Sequence, residues 1–299
     1  MTAPVLFDIP GPKARSRIRI GTGIGILLIL GLIAVVLIRL GNNGQLDPQR
    51  WAVLFDPRTG VPQTLWRTLI NTLQVAAVGM VVATIVGLLL AVGRLSDHRF
   101  VRWLTGLYIE FFRAIPLLVV IFALYFLLPK YGIRPTAFQA LAGGLILYNS
   151  AVLAEIFRAG ILSIDKGQSE AAFGIGMRKS QVMTQILLPQ ATRRMLPVLV
   201  AQLVVLLKDS SLGFIIGYFE LLRGARSLVE FFTPRFGSEY TFQLYVAAGL
   251  IYIVINVLLS TLARYIEKRT RRSTKAAVAE EADLPTEVAM GGSGISSTV

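Results

Sequence analysis

Few residues in this chain are equipped for chemistry. Cysteine is absent and His98 is the only histidine. Disulfides, thiolate ligands, thiol nucleophiles, a histidine-rich metal centre and a histidine-based catalytic triad are therefore all excluded. What remains is a set of charges lying in or at the ends of apolar stretches: Glu110, Arg113, Glu155, Arg158, Lys208 and Asp209. Placing Lys, Arg or Asp near the centre of a membrane helix costs about 2.5–3.5 kcal/mol on insertion scales, so each such group must be paired, must line a wet cavity or must have a task. Glu110 and Arg113 stand three apart, as do Glu155 and Arg158, which is the spacing of a structural ion pair on one helix face. Lys208 and Asp209 are adjacent, point about 100° apart on a helix and cannot share one partner. Ser210, Ser211 and Gly213 follow them, residues that suit an opened helix lining a cavity. Two readings of Lys208 and Asp209 stand at this point: a pathway or gate for a polar solute, and a buried ion pair between subunits. His98, between Asp97 and Arg99, reads as solvated.

The elements that hold these residues must cross a membrane. Hydrophobic residues make up 54% of the 299 and charged residues 16%, against roughly 25% charged in soluble domains. Mean hydropathy is +0.65, and a water-soluble globule is excluded. Six apolar stretches approach the roughly 20 residues a helix needs to span the hydrocarbon layer: 20–38, 68–93, 107–128, 138–157, 195–217 and 242–263. The first is preceded by Lys13, Arg15, Arg17 and Arg19, as a signal peptide would be. It is too long for one and lacks a small-residue cleavage site, so it reads as a retained helix. The net charge of +13 falls between the spans rather than in one patch, which is an orientation signal and not a nucleic-acid surface. With the N-terminus inside, the inside segments hold 19 of the 30 Lys and Arg and the outside segments 9, so both termini are expected in the cytoplasm. Trp51, Trp66, Trp103 and Tyr131 fall near span ends, where aromatic belts sit. The fold class expected is an all-α membrane protein with six transmembrane helices.

Two further patterns bear on packing. Gly79, Ala83, Gly87 and Ala91 place a small residue at every fourth position of the second span, which lets helix backbones approach closely. In the outside segment 218–241, Leu221, Leu222, Ala225, Leu228, Val229 and Phe232 form the stripe of an amphipathic helix, with Arg223, Arg226 and Glu230 opposite. It reads either as a helix on the membrane surface or as a gate or docking element.

The inside segment 158–194 carries the most specific pattern. Glu170-Ala171-Ala172 is followed after three residues by Gly176 and after nine more by Ile186-Leu187-Leu188-Pro189. A helix is expected to leave the bilayer here and return. Asp165 with Gln168 reads as a capping box, Ala171 and Ala172 as a flat contact surface, Gly176 as a turn, and Pro189 as a stop before the next span. Gly174-Ile175-Gly176-Met177-Arg178-Lys179-Ser180 is not a phosphate-binding loop, since Arg178 stands where Gly must precede Lys.

The pattern resembles the EAA loop of the membrane subunits of ATP-binding-cassette importers. Tyr108-Ile109-Glu110-Phe111-Phe112-Arg113-Ala114-Ile115-Pro116-Leu117-Leu118, Ala154-Glu155-Ile156-Phe157-Arg158-Ala159-Gly160-Ile161, Lys166-Gly167-Gln168-Ser169-Glu170 and Leu207-Lys208-Asp209-Ser210-Ser211-Leu212 look like segments of the polar amino-acid permeases of that family. Ser210 stands where the family usually has Thr. Phe112-Arg113-Ala114-Ile115-Pro116 and Leu147-Tyr148-Asn149 are similar to bacterial glutamate uptake permeases, with glutamine, arginine or another polar amino acid as the alternative substrate.

The resemblance implies a type I importer (MetI-like) permease fold over 68–268, preceded by an extra helix and outside loop (20–67) behind a basic segment (1–19), and followed by a disordered tail (269–299). It implies ATPase coupling through Glu170, Ala171, Ala172, Gly176, Ile186, Leu188 and Pro189, and a substrate pathway or gate at Lys208, Asp209, Ser210, Ser211 and Asn149. The partners implied are a second permease subunit, two ATP-binding subunits, an external solute-binding protein and the lipid bilayer of a bacterial inner membrane. No catalytic residue, metal or cofactor is expected in the chain itself; ATP and Mg belong to the partner ATPase. A secondary transporter would account for spans and charges but not for the loop, and a membrane-anchored enzyme would need a catalytic constellation that the sequence lacks.

Overall fold

The computed structural model describes residues 11–237 and 239–282, with side chains omitted at position 263 and from 266 onward. Among the described residues the regular structure is helical. Helix α1 (Pro12–Asn42) starts with Pro in its first turn and ends beside Arg39. Its 31 residues span about 46 Å at 1.5 Å each, enough to cross a bilayer with a margin. No residue of α1 is buried, so its apolar surface faces outward on all sides. A short helix α2 (Pro48–Ala52), capped by the Asp47 carboxylate on the Gln49 N–H, leads through a turn at Gly60 (φ 73°) into α3 (Val61–Arg94).

The bundle is built on α3. The span expected over 107–128 falls on a bent element. Here α4 (Arg99–Ala114) and the apolar stretch beginning with α5 (Leu117–Phe122) and ending at Tyr131 meet at 101°. Pro116 supplies no N–H and drives Ile115 into extended backbone (φ −93°, ψ 133°), which ends a helix. Helix α4 buries Gly106 and Ile109 and turns Phe100, Trp103, Leu104, Leu107 and Phe111 outward, an apolar stripe suited to lipid.

Helix α6 (Ala137–Leu162) opens with a capping box between Thr136 and Gln139 and lies along α3. The small-residue stripe of α3 is the reason they approach: Gly79, Ala83, Gly87 and Ala91 are all buried. A Cβ on Gly87 would come within 2.9 Å of both Leu153 Cβ and the Ser150 carbonyl oxygen. Two short helices, α7 (Lys166–Gly174) and α8 (Lys179–Gln181), then a π-helical turn (Val182–Leu187), lead into α9 (Leu188–Asp209). Pro189 therefore lies within one continuous helix, Lys179–Phe214, just after its π-helical turn. It does not act as the stop expected before a span beginning at 195. The helix tightens to a 3-10 segment at Ser210–Phe214 and turns at Gly217 (φ 80°). Helix α10 (Leu221–Phe236) and the long α11 (Thr241–Ala282) complete the chain. Residues 269–282, expected as disordered tail, continue α11, being rich in the strong helix formers Ala, Lys, Arg and Glu. The rest of that tail and residues 1–10 of the basic segment lie outside the described residues.

Three apolar clusters hold the bundle. A central one joins Val75, Ile121, Leu141, Leu145, Leu206 and Leu207 from α3, α5, α6 and α9. A second, around Ala83, Ala91, Ile109, Leu153 and Phe157, lies toward the end that carries α7 and α8. At the opposite end Val61, Leu65, Leu221, Ala225, Leu228, Phe232, Leu244 and Ala248 pack together. The amphipathic α10 is thus docked on α3 and α11 rather than lying free.

Candidate functional site

The segment between α6 and α9 is a compact knuckle. The Asp165 carboxylate caps α7 by accepting from the Gly167 N–H at 2.7 Å. The reciprocal half of the expected capping box is absent, because the Gln168 side chain accepts from Gln190 Nε2 at 3.3 Å. Helix α7 ends with the Gly176 N–H donating to the Phe173 carbonyl and the Met177 N–H to the Ala172 carbonyl. Gly176 has φ 83° with open space around it, the left-handed closure that favours glycine. Ala172 is buried against the following turn with Val182, while Glu170 and Ala171 face solvent. Ile186 and Leu188 are half-buried and Pro189 is exposed. At the tip two apolar side chains stand out, Phe173 at 48% and Ile175 at 80% exposure. An exposed apolar tip closed by a left-handed glycine is suited to a partner surface rather than to water.

Three contacts tie this knuckle to the bundle. Lys179 pairs with Asp97 in the loop between α3 and α4. Arg194 donates to the Ser163 carbonyl at 2.8 Å, and Gln190 reaches Gln168 across the segment. The Lys179 ammonium, by hydrogen bond and charge, holds the Asp97 carboxyl below its ordinary value. His98, flanking it, is exposed and caps nothing with its side chain. At the same end Glu110 pairs with Arg94 at 2.7 Å. This corrects the Glu110–Arg113 pair expected from spacing: α4 packs beside the end of α3, so Arg94 reaches the carboxylate while Arg113 is exposed. Glu155 and Arg158 do meet, at 3.0 Å, half-buried on α6.

Lys208 lies in the last turn of α9. It opens into a groove of about 600 Å³ between α9 and α11, with Ser211, Tyr245, Tyr252, Asn256, Ser260 and Arg264 as its other polar groups and Leu222 of α10 at its edge. Neither Lys208 nor Arg264 has a carboxylate partner among the described residues. The remaining residues assigned to a pathway do not line the groove. Ser210 is fully buried and donates to the Leu207 carbonyl, and Asp209 is half-buried. Asn149 is fully buried in α6, where it donates to the Leu145 carbonyl and accepts from Gln202 Nε2 of α9 at 2.8 Å. It ties two helices together.

A polar knot closes the end of the groove nearest α10. Glu220 is fully buried and caps α10, accepting from the N–H groups of Leu222 and Arg223 at 2.8 and 2.7 Å and from the Tyr252 hydroxyl at 2.8 Å. Burial raises its carboxyl above the ordinary glutamate value, and the Leu222, Tyr252 and Arg223 donors oppose that rise. Thr72 accepts from the Leu221 N–H, and Asn71 donates to the Phe219 carbonyl at 2.8 Å. Sequence reasoning did not single out Glu220 or the groove residues of α11. The signal was present: Tyr252, Asn256, Ser260 and Arg264 recur every fourth residue, one face of a helix.

Residues 83–272 match the family described as binding-protein-dependent transport system inner membrane components. The chain is 40% identical over 256 residues to the glutamate transport system permease protein GluD of Corynebacterium glutamicum, covering 82% of this chain and 89% of that protein. It is 37% identical to the probable glutamine ABC transporter permease protein GlnM of Bacillus subtilis, covering 68% and 91%. Among solved structures, an amino acid ABC transporter crystallised with histidines superposes with a TM-score of 0.65 at 31% identity, over 71% of this chain and 97% of that one. With its all-helical fold and its projecting loop between α6 and α9, the chain belongs to the family of binding-protein-dependent inner membrane transport components, as a non-catalytic permease subunit of an ABC importer for amino acids.

Proposed function

We propose that this chain carries glutamate inward, as one of two permease subunits served by two ATP-binding subunits and an external solute-binding protein. The observation that carries the substrate is the groove, whose two cations, Lys208 and Arg264, lack carboxylate partners among the described residues. A cation in a low-dielectric wall attracts a carboxylate far more strongly than it would in water, and glutamate brings two. The 40% identity to a glutamate permease supports the same reading; the relative named for glutamine supports glutamine as the alternative.

Coupling runs through Glu170, Ala171, Ala172, Gly176, Ile186, Leu188 and Pro189, with Phe173 and Ile175 as the apolar tip that enters the ATPase. ATP and Mg bind on that partner. Because Lys179–Asp97 and Arg194–Ser163 fasten the knuckle to α3, α4 and α6, its displacement by closing ATPases moves those helices together. The knuckle end is the cytoplasmic end in this reading, consistent with the excess of Lys and Arg on that side. Both termini are then cytoplasmic, and reporter fusions at residues 15 and 280 give the cytoplasmic signal. The substrate is tested by uptake of labelled glutamate through the complete importer with unlabelled competitors. Glutamate is expected to compete at lower concentration than glutamine or arginine; stronger competition by either of those reassigns the substrate.

A further inference from the structure

The last transmembrane helix carries a row of polar residues that nothing in the family match assigns. Tyr252, Asn256, Ser260 and Arg264 stand at successive fourth positions of α11, and all four line the groove against α9. At 1.5 Å per residue the row extends about 18 Å along the helix, more than half the hydrocarbon thickness. Helices α9 and α11 run in opposite directions, so Lys208, in the last turn of α9, lies toward the α10 end of the row. Arg264 lies at the other end, nearer the knuckle. One amino acid is too short to hold both cations at once, so a solute travelling the groove meets them in turn.

Between the cations stands Asn256. Its residue is 9% exposed, and its side-chain nitrogen donates to the Tyr252 carbonyl at 2.7 Å. That bond fixes which way the amide faces, because only the NH₂ group can donate to a carbonyl. The amide oxygen therefore points the other way, and it is buried with no hydrogen-bond partner. A buried acceptor without a donor carries its desolvation cost uncompensated, and such groups in native folds call for an explanation. Within this groove the polar groups that could answer it are Lys208 at one end, the hydroxyls of Ser211, Tyr245, Tyr252 and Ser260, and Arg264 at the other. The Tyr252 hydroxyl is already committed to Glu220.

We propose that Asn256 is the subsite for the α-ammonium group of the transported amino acid. The solute carries three N–H donors on that group and a carboxylate on the same carbon, matching an acceptor with a cation to one side of it. The oxygen lies sealed beneath the groove wall, so it is reached when α9 and α11 separate, and the subsite forms in the open state of the pathway. Tyr252 links this site to the knot at Glu220 through its carbonyl and its hydroxyl. The inference rests on the reading of the groove as the pathway, but it concerns the amino group, which every α-amino acid shares.

The test uses the complete importer in proteoliposomes, with ATP-driven uptake of labelled glutamate and glutamine as the readout and ATPase co-purification as the check on assembly. Asn256→Leu keeps the side-chain volume and removes the acceptor. Uptake of both amino acids is expected to fall about tenfold or more with assembly intact. Uptake within about twofold of wild type overturns the proposal. Asn256→Thr keeps a hydroxyl that can donate to the Tyr252 carbonyl four residues back and still accept from an ammonium group, so its uptake is expected to survive; loss of uptake in an assembled Asn256→Thr importer overturns the proposal even where Asn256→Leu fails to assemble. If the wild-type importer carries glutamine and not glutamate, the glutamate reading falls while the Asn256 result stands on glutamine alone.

Discussion

Glu220 shows how a single buried charge can be kept without a cation. Its two oxygens accept three hydrogen bonds, two from the backbone at the start of α10 and one from Tyr252, and a helix N-terminus favours negative charge. Glu220→Gln preserves the shape but turns one of the two acceptor positions into a donor facing another donor. Each hydrogen bond lost to a charged group costs about 1.5–3 kcal/mol, so the variant is expected to lose stability in that range and to melt at a lower temperature. Thermal unfolding of the purified complex checks this, and an unchanged midpoint contradicts the assignment. Glu220 was not legible in the sequence because a glutamate between two apolar stretches looks like any loop carboxylate. Its importance comes from Tyr252, Thr72 and the α10 backbone, which only the fold brings to it. The ladder of Tyr252, Asn256, Ser260 and Arg264 was legible as a spacing, but the apolar residues around it hid it in any averaged hydropathy. Glu155 and Arg158 could be paired by counting. Glu110 could not, since its partner Arg94 comes from another helix.

At the scale of elements, close backbone approach sets what the helices tolerate. Gly87→Ala places a methyl group 2.9 Å from Leu153 Cβ and from the Ser150 carbonyl oxygen, neither of which can swing aside. Overpacking of this kind costs about 1–3 kcal/mol, so the variant is expected to lower the yield of assembled complex and its melting temperature; an unaltered complex would mean that α3 and α6 are less tightly apposed. The small-residue stripe announced that contact before the partner helix was known. Pro116 likewise announced the break in the third span, yet the apolar run continued through it and read as one crossing.

The knuckle makes a different demand, because it must move with the bundle rather than against it. The chain has no cysteine, so Asp97→Cys with Lys179→Cys can be bridged cleanly by a short bis-maleimide. Transport is expected to persist at near wild-type rate after bridging, since the two positions belong to one rigid unit. Loss of transport in the bridged protein alone, with the unbridged double variant active, would show that the knuckle slides on the α3–α4 corner.

Over the whole molecule, an extended apolar surface encloses a small set of polar contacts at two ends and one groove between them. Helix α1 contributes nothing to the core. Its following loop is nevertheless anchored, through Gln243 to the Gln45 carbonyl at 3.0 Å and through Trp51 against Phe242 edge to face. The crossing helices and the projecting loop were legible in the sequence from apolar length, basic asymmetry and the fixed pattern from Glu170 to Pro189. The groove was only half legible, through Lys208, because its other wall is the last helix. The central claim is that ATP bound by a separate subunit drives amino-acid entry through this chain by way of the Glu170–Pro189 knuckle. The most direct measurement is uptake of labelled glutamate into proteoliposomes holding the complete importer, compared between wild type and Gly176→Arg. Wild type is expected to transport only with ATP and the binding protein present, and Gly176→Arg to insert normally yet lose both the ATPase and uptake. Uptake without the ATPase, or equal uptake and equal ATPase recovery with Gly176→Arg, would contradict the account.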